Sequence, residues 1–103
     1  MKKIILIEDE IPARNKLKDF ILRLDEKVEV VAELSSVQES LIYLSNSKPA
    51  DLIFSDIQLL DGSSFEIFEK VQVNCPVIFT TAYDSYWMDA FEVNGIDYLL
   101  KPF

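Results

Sequence analysis

The sequence predicts an α/β fold, a doubly wound five-stranded parallel sheet with helices on both faces. Three observations lead there. Short apolar runs alternate with stretches of helical periodicity in the order β-α-β-α-β-α-β-α-β, the mark of a parallel sheet. The central runs are apolar nearly throughout, as strands buried on both faces are. Three runs also end in charge: Lys3-Ile4-Ile5-Leu6-Ile7 on Glu8-Asp9-Glu10, Asp51-Leu52-Ile53-Phe54-Ser55 on Asp56, and Ile96-Asp97-Tyr98-Leu99-Leu100 on Lys101-Pro102.

Taken in order, residues 3–7 read as a central strand, isoleucine-rich and all apolar after Lys3. Pro12 is tolerated in a helix's first turn. From there Ala13, Leu17, Phe20, Ile21 and Leu24 recur at helical spacing and define the first helix. Val28–Leu34 is β-branched and only partly alternating, which suits an edge strand. Ser36-Val37-Gln38-Glu39 is a capping box that opens a second helix with Val37, Leu41 and Leu44 on its buried face. Residues 51–55 form the third strand. Asp61-Gly62-Ser63-Ser64 signals a turn, and Phe65, Phe68 and Val71 mark a third helix. Val77–Thr81 is the fourth strand. Asp84 or Ser85 caps a fourth helix with Trp87, Ala90 and Phe91 on its apolar face, Asn94-Gly95 stops it, and residues 96–100 are the fifth strand.

A chain of 103 residues predicts one domain. A hydrophobic content of 50% argues for a packed globule. With 18 acidic and 10 basic residues the formal charge is −8, which repels phosphate-rich partners, so direct nucleic-acid contact is not expected. There is no histidine, which excludes Ser-His-Asp and Cys-His catalysis. The single cysteine, Cys75, reads as a small packed residue and suits a reducing cytoplasm. The N-terminal apolar run is too short for a secretory signal, and no run approaches the ~20 residues of a membrane span. A soluble cytoplasmic protein is expected.

In parallel strands the three charged ends meet at the carboxyl edge of the sheet, where open α/β folds bind ligands. Two like charges about 5 Å apart repel by roughly 3 kcal/mol at an effective dielectric of about 20. A hard divalent cation with oxygen ligands removes that cost, and Mg²⁺ suits a shallow, partly hydrated site. Lys101 adds positive charge at the same edge. A carboxylate between a metal and a lysine is placed to attack phosphorus and form an acyl phosphate. Thr81 supplies a hydroxyl to the product. Glu10, Asp61 and Asp97, taken singly, read as ordinary solvated turn residues, and Thr80 reads as a sheet residue.

At these residues the chain resembles the CheY-like receiver domains of two-component response regulators. The likeness runs from Lys2 to the end and rests on Glu8-Asp9, Asp56-Ile57-Gln58, Asp61-Gly62, Thr81-Ala82 and Tyr98-Leu99-Leu100-Lys101-Pro102-Phe103. Residues 79–83 and 96–103 look most like receivers joined to LytTR-type DNA-binding domains. The resemblance implies a flavodoxin-like strand order, 2-1-3-4-5. It implies that Asp56 takes a phosphoryl group from a sensor histidine kinase. Asp9, Asp56 and the backbone carbonyl of Gln58 would hold Mg²⁺, with Glu8 acting through water. Lys101 would pair with the phosphoryl group beside Thr81 and Ala82, and Pro102 would follow a cis bond. Tyr98 would turn inward and reshape the face of the fourth helix and fifth strand. Gln58 and Tyr83 would flank the path of hydrolytic water.

Two departures stand out. Leu60 occupies the place of a proline common in the family, in a compressed Leu60-Asp61-Gly62 turn. The family's final helix is also absent, so residues 1–103 are expected to be a receiver truncated before that helix. The apolar face this would uncover is expected to drive self-association into a homodimer. Three other functions compete. A metal-dependent phosphatase on a similar sheet wants alternating aspartates after the first strand, where this chain has Glu8-Asp9-Glu10. A flavodoxin-like cofactor binder needs a hydroxyl- and glycine-rich phosphate loop there. An unphosphorylated interaction module would not need the full acidic set.

Overall fold

The computed structural model describes residues 2–24, 27–46, 50–81 and 95–100, and for residue 81 and residues 95–100 it describes the backbone course. The elements run β1 (Lys2–Ile7), α1 (Ile11–Leu24), β2 (Val28–Leu34), α2 (Val37–Ser45), β3 (Leu52–Asp56), a two-stranded ribbon of β4 (Gln58–Leu59) and β5 (Gly62–Ser63), α3 (Phe65–Lys70), β6 (Val77–Thr81) and β7 (Gly95–Leu100). The sheet has five strands in the order β2-β1-β3-β6-β7, all paired in parallel. With the ribbon set aside this is the 2-1-3-4-5 order. The crossovers put helices on both faces and every strand's carboxyl end on one edge.

The core follows from strand alternation. On β1, Ile5 and Ile7 point to the α2–α3 face and pack with Val37, Leu44, Ile53, Ile67, Val77 and Phe79. Ile4 and Leu6 point to the other face and meet Leu17 and Ile21 of α1, with Val28 and Phe54. A strand apolar on both faces has to be central, and β1 is. Phe79 is fully buried and receives Phe65 and Phe68 edge-on at centroid distances of 5.0 and 5.6 Å. These T-shaped contacts tie the short α3 to the sheet. Arg14 and Lys18 of α1 both reach Glu33 on β2, at 3.5 and 3.4 Å, in a partly exposed pairing of small energetic weight. Cys75 is half-buried against the larger core cluster, and burial, followed by the charge of Asp51, pushes its thiol above the ordinary value.

Several expectations shift in detail. The third strand starts at Leu52 and ends on Asp56 itself, because Asp51 is used to accept the Lys3 N–H at 2.7 Å. Val71 is the extended cap of α3 rather than part of it (φ −124, ψ 122). Leu24 shares the helical spacing of Leu17 and Ile21 yet is 71% exposed at the end of α1. Gly95 is the first residue of β7. The fourth helix falls outside the described residues. Sequence periodicity did not reveal the β4–β5 ribbon, whose strands are two residues long, too short for any pattern.

Two substitutions test the core. Phe79→Ala removes the ring that both α3 phenylalanines pack on, and should cost about 3–5 kcal/mol in urea unfolding. The Thr80 hydroxyl is buried and has no hydrogen-bond partner among the described residues. Thr80→Val, of similar shape, should therefore raise stability by about 1 kcal/mol in the same experiment.

Candidate functional site

The site is assembled by register. Ile7 of β1 lies beside Ser55 of β3, so the residues that follow, Glu8 and Asp56, emerge side by side at the carboxyl edge. The β1 ladder continues through Glu8, whose N–H donates to the Leu34 carbonyl at 2.9 Å. Asp56 is paired with Thr80 of β6. One oxygen each of Glu8, Asp9 and Asp56 falls within a span of 4.8 Å. Glu8 and Asp56 are buried and Asp9 is half-buried. One Glu8 oxygen also accepts the Glu10 N–H at 3.3 Å.

Three carboxylates this close, two of them buried, are costly without compensating charge. The donor set is all oxygen, and opposite ligands of an octahedral magnesium ion lie about 4.2 Å apart. A spread of 4.8 Å is within a small side-chain adjustment of that, or one oxygen can act through water. The residues present therefore fit a small hard dication.

The segment after Asp56 is held firmly. The Ile57 N–H donates to the Thr80 carbonyl at 3.2 Å, and the Ile57 carbonyl accepts the Ser64 N–H at 2.8 Å. Ile57 and Leu59 are buried while Gln58 between them faces out. Gln58 and Leu59 pair with Ser63 and Gly62, leaving Leu60 and Asp61 at the tip. The compressed turn noted in the sequence is this hairpin.

On β6 and β7 the backbone places Thr81 opposite Leu100 and Phe79 opposite Tyr98. Thr81 is thus the last strand residue on the same edge as Asp56. Ala82, Tyr83, Lys101 and Pro102 lie outside the described residues.

Sequence reasoning missed Asp61. It is exposed, as expected of a turn residue, but not merely solvated. Its two carboxylate oxygens accept the N–H groups of Val37 and Gln38 at 2.8 and 3.0 Å, the first two donors of α2. Ser36 caps the third, accepting the Glu39 N–H at 3.0 Å, and Glu39 accepts the Ser35 N–H at 2.6 Å. The capping box was legible because it is local. A second cap from 24 residues away has no sequence signal.

A doubly wound parallel sheet with a carboxylate cluster at its carboxyl edge is the architecture of CheY-like receiver domains. The chain belongs to the response regulator receiver domain family, whose model matches residues 4–103. It is 42% identical over 106 residues to the sensory transduction protein LytT of Bacillus cereus, an alignment that takes in 100% of this chain and 42% of that protein. It is 36% identical over 104 residues to the sensory transduction protein LytR of Staphylococcus epidermidis, covering 98% of this chain and 40% of that one. The chain thus spans well under half the length of these relatives. Among solved structures it resembles the response regulatory domain of mrkE from Klebsiella pneumoniae (TM-score 0.83, 27% identity, 98% of this chain and 84% of that one). It also resembles the response regulator TrrA of Thermotoga maritima, solved in complex with Mg²⁺–BeF (TM-score 0.82, 26% identity, 100% and 89% coverage). The chain is a receiver domain of two-component signal transduction, with the LytT/LytR likeness that residues 79–83 and 96–103 suggested.

The Val37 N–H first, and the Gln38 N–H next, hold the Asp61 carboxyl below its ordinary value of 3.8. A depressed folded pKa stabilises the fold above the unfolded pKa, and the effect is lost as pH falls through the folded one. Asp61→Asn mimics the protonated acid. Its melting temperature should lie below that of the wild type near neutral pH, and the gap should close as the pH drops below 3.8.

Proposed function

We propose that Asp56 is the phosphoacceptor of a signalling switch. The observation that supports it is the gathering of Glu8, Asp9 and Asp56 oxygens within 4.8 Å at the carboxyl edge of a receiver fold. An Asp56 oxygen attacks the phosphorus of a phosphohistidine on a sensor histidine kinase. The P–O bond forms, the P–N bond breaks, and the imidazole leaves with a proton. Asp9, Asp56 and the Gln58 backbone carbonyl would hold Mg²⁺, with Glu8 contributing through water. When bound, the ion neutralises charge on the transferring oxygens. Lys101 pairs with the phosphoryl group, Thr81 donates its hydroxyl and the Ala82 backbone completes the binding loop.

The new charge biases a two-state element. Thr81 moves toward the phosphoryl oxygen, Tyr98 turns inward, and the face of the fourth helix and β7 changes shape to control an output domain, a DNA-binding one by likeness to LytTR-type regulators. Each phosphoryl group taken modifies the protein itself, so the chain is a self-phosphorylating acceptor and not a turnover enzyme. Its place is the cytoplasm, with neither nucleic acid nor membrane contacted by this segment. Among the described residues no helix is long and apolar enough to cross a membrane. A homodimer belongs to the same proposal. Phe20, Leu52 and Ile78 are only half-covered on the α1 side, and Leu24, one turn beyond Phe20 on α1, stands exposed.

Incubation with Mg²⁺ and acetyl phosphate should add one phosphoryl group by intact mass to the wild type and none to Asp56→Asn. Phosphate released over many turnovers would instead mark a phosphatase. Tyr83 and Gln58 flank the path of attacking water, so Tyr83→Ala should shorten the phosphorylated lifetime severalfold; an unchanged lifetime overturns that role. Sedimentation should shift toward a dimer as concentration rises, and a monomer throughout would count against self-association.

A further inference from the structure

We infer that Asp61 is a positioning residue for the metal-binding loop: by gripping the first turn of α2 it holds the β4–β5 ribbon, and the Gln58 carbonyl with it, against the acidic cluster. The inference rests on the proposed role of Gln58.

Magnesium demands near-ideal octahedral geometry, so a backbone carbonyl serves as a ligand only where its loop is fixed. At its base the loop is fixed by Ile57, through the Thr80 and Ser64 bonds. At its tip the apolar anchor is missing, because Leu60 is 92% exposed. The hold there is polar. Both Asp61 oxygens sit on α2 N–H groups, at 2.8 and 3.0 Å. Two planar oxygens meeting two adjacent donors fix orientation as well as distance.

The partner is itself rigid. The start of α2 is locked by the reciprocal Ser36–Glu39 and Glu39–Ser35 bonds, and by burial of Val37 and Leu44. Gly62 supplies the positive-φ turn that closes the ribbon. Its φ is +145, and a Cβ there would stand 3.1 Å from Glu66 Oε2 and 3.8 Å from Val37 Cγ2. The hairpin that carries Gln58 is therefore clamped from below by the sheet and from the side by α2.

The test is calorimetric titration of Mg²⁺ alone into the full chain, each variant first shown to be folded by its far-UV circular dichroism and melting temperature. Asp61→Ala should bind Mg²⁺ about three- to tenfold more weakly, at or below the roughly tenfold lower end for lost outer-shell partners. Asp61→Asn keeps one acceptor oxygen and should fall between. Ser36→Ala loosens the same helix end but leaves both Asp61 bonds in place, and should weaken binding less than Asp61→Ala does. Wild-type affinity in Asp61→Ala overturns the inference. So does equal weakening by Asn and Ala, which would reduce the effect to lost charge, or equal weakening by Ser36→Ala, which would reduce it to helix capping. Absence of saturable binding by the wild type, or undiminished binding by Asp56→Asn, would overturn the metal site itself, a failure readily told apart from the others.

Discussion

Like charges brought together at one edge are the constraint around which this molecule is built. Parallel pairing of β1 with β3 sets Ile7 beside Ser55, and the next residue of each strand is an acid. No local adjustment relieves this, because a shift of register by one residue would move Ile5 and Ile7 out of the α2–α3 cluster and put Ile4 and Leu6 in their place. The sheet's stability and the site's tension thus come from the same hydrogen-bonded ladder. The energy that holds Glu8 and Asp56 close is the burial of Ile4, Ile5, Leu6, Ile7 and Ile53. The charge itself only opposes it.

The second structural theme is how a short loop is stiffened. Six residues separate Asp56 from Ser63, and they make a hairpin instead of an open turn. Ile57 and Leu59 enter the core, Gln58 and Leu60 face out, and Asp61 reaches across to α2. Each contact is modest, but each removes a different freedom: position at the base, twist along the ribbon, and swing at the tip. An exposed carboxylate can matter here because it organises backbone and does not need to be buried to do so.

The two faces of the sheet are unequal. The α2–α3 side carries the larger cluster, with the Phe65–Phe79–Phe68 stack at its centre. The α1 side is smaller, and Phe20, Leu52 and Ile78 are only half-covered there. Among the described residues, the denser face lies under the ribbon, next to the acids, and the thinner face carries the half-covered apolar side chains.

Composition and periodicity determined the class of fold, the central place of β1, the edge position of β2, the cap at Ser36 and the three acids at one rim. These are properties of short windows: a run of isoleucines, a Ser-x-x-Glu, a charge at the end of a strand. Tertiary structure alone decided the β4–β5 ribbon, the exposure of Leu24, the early end of α3 at Lys70 and the reach of Asp61 to Val37 and Gln38. Those depend on which surfaces happen to face one another after the chain has folded. A hydrogen bond between residues 24 apart leaves no periodic trace, and a helix's last turn is kept or lost according to what the neighbouring strand can cover.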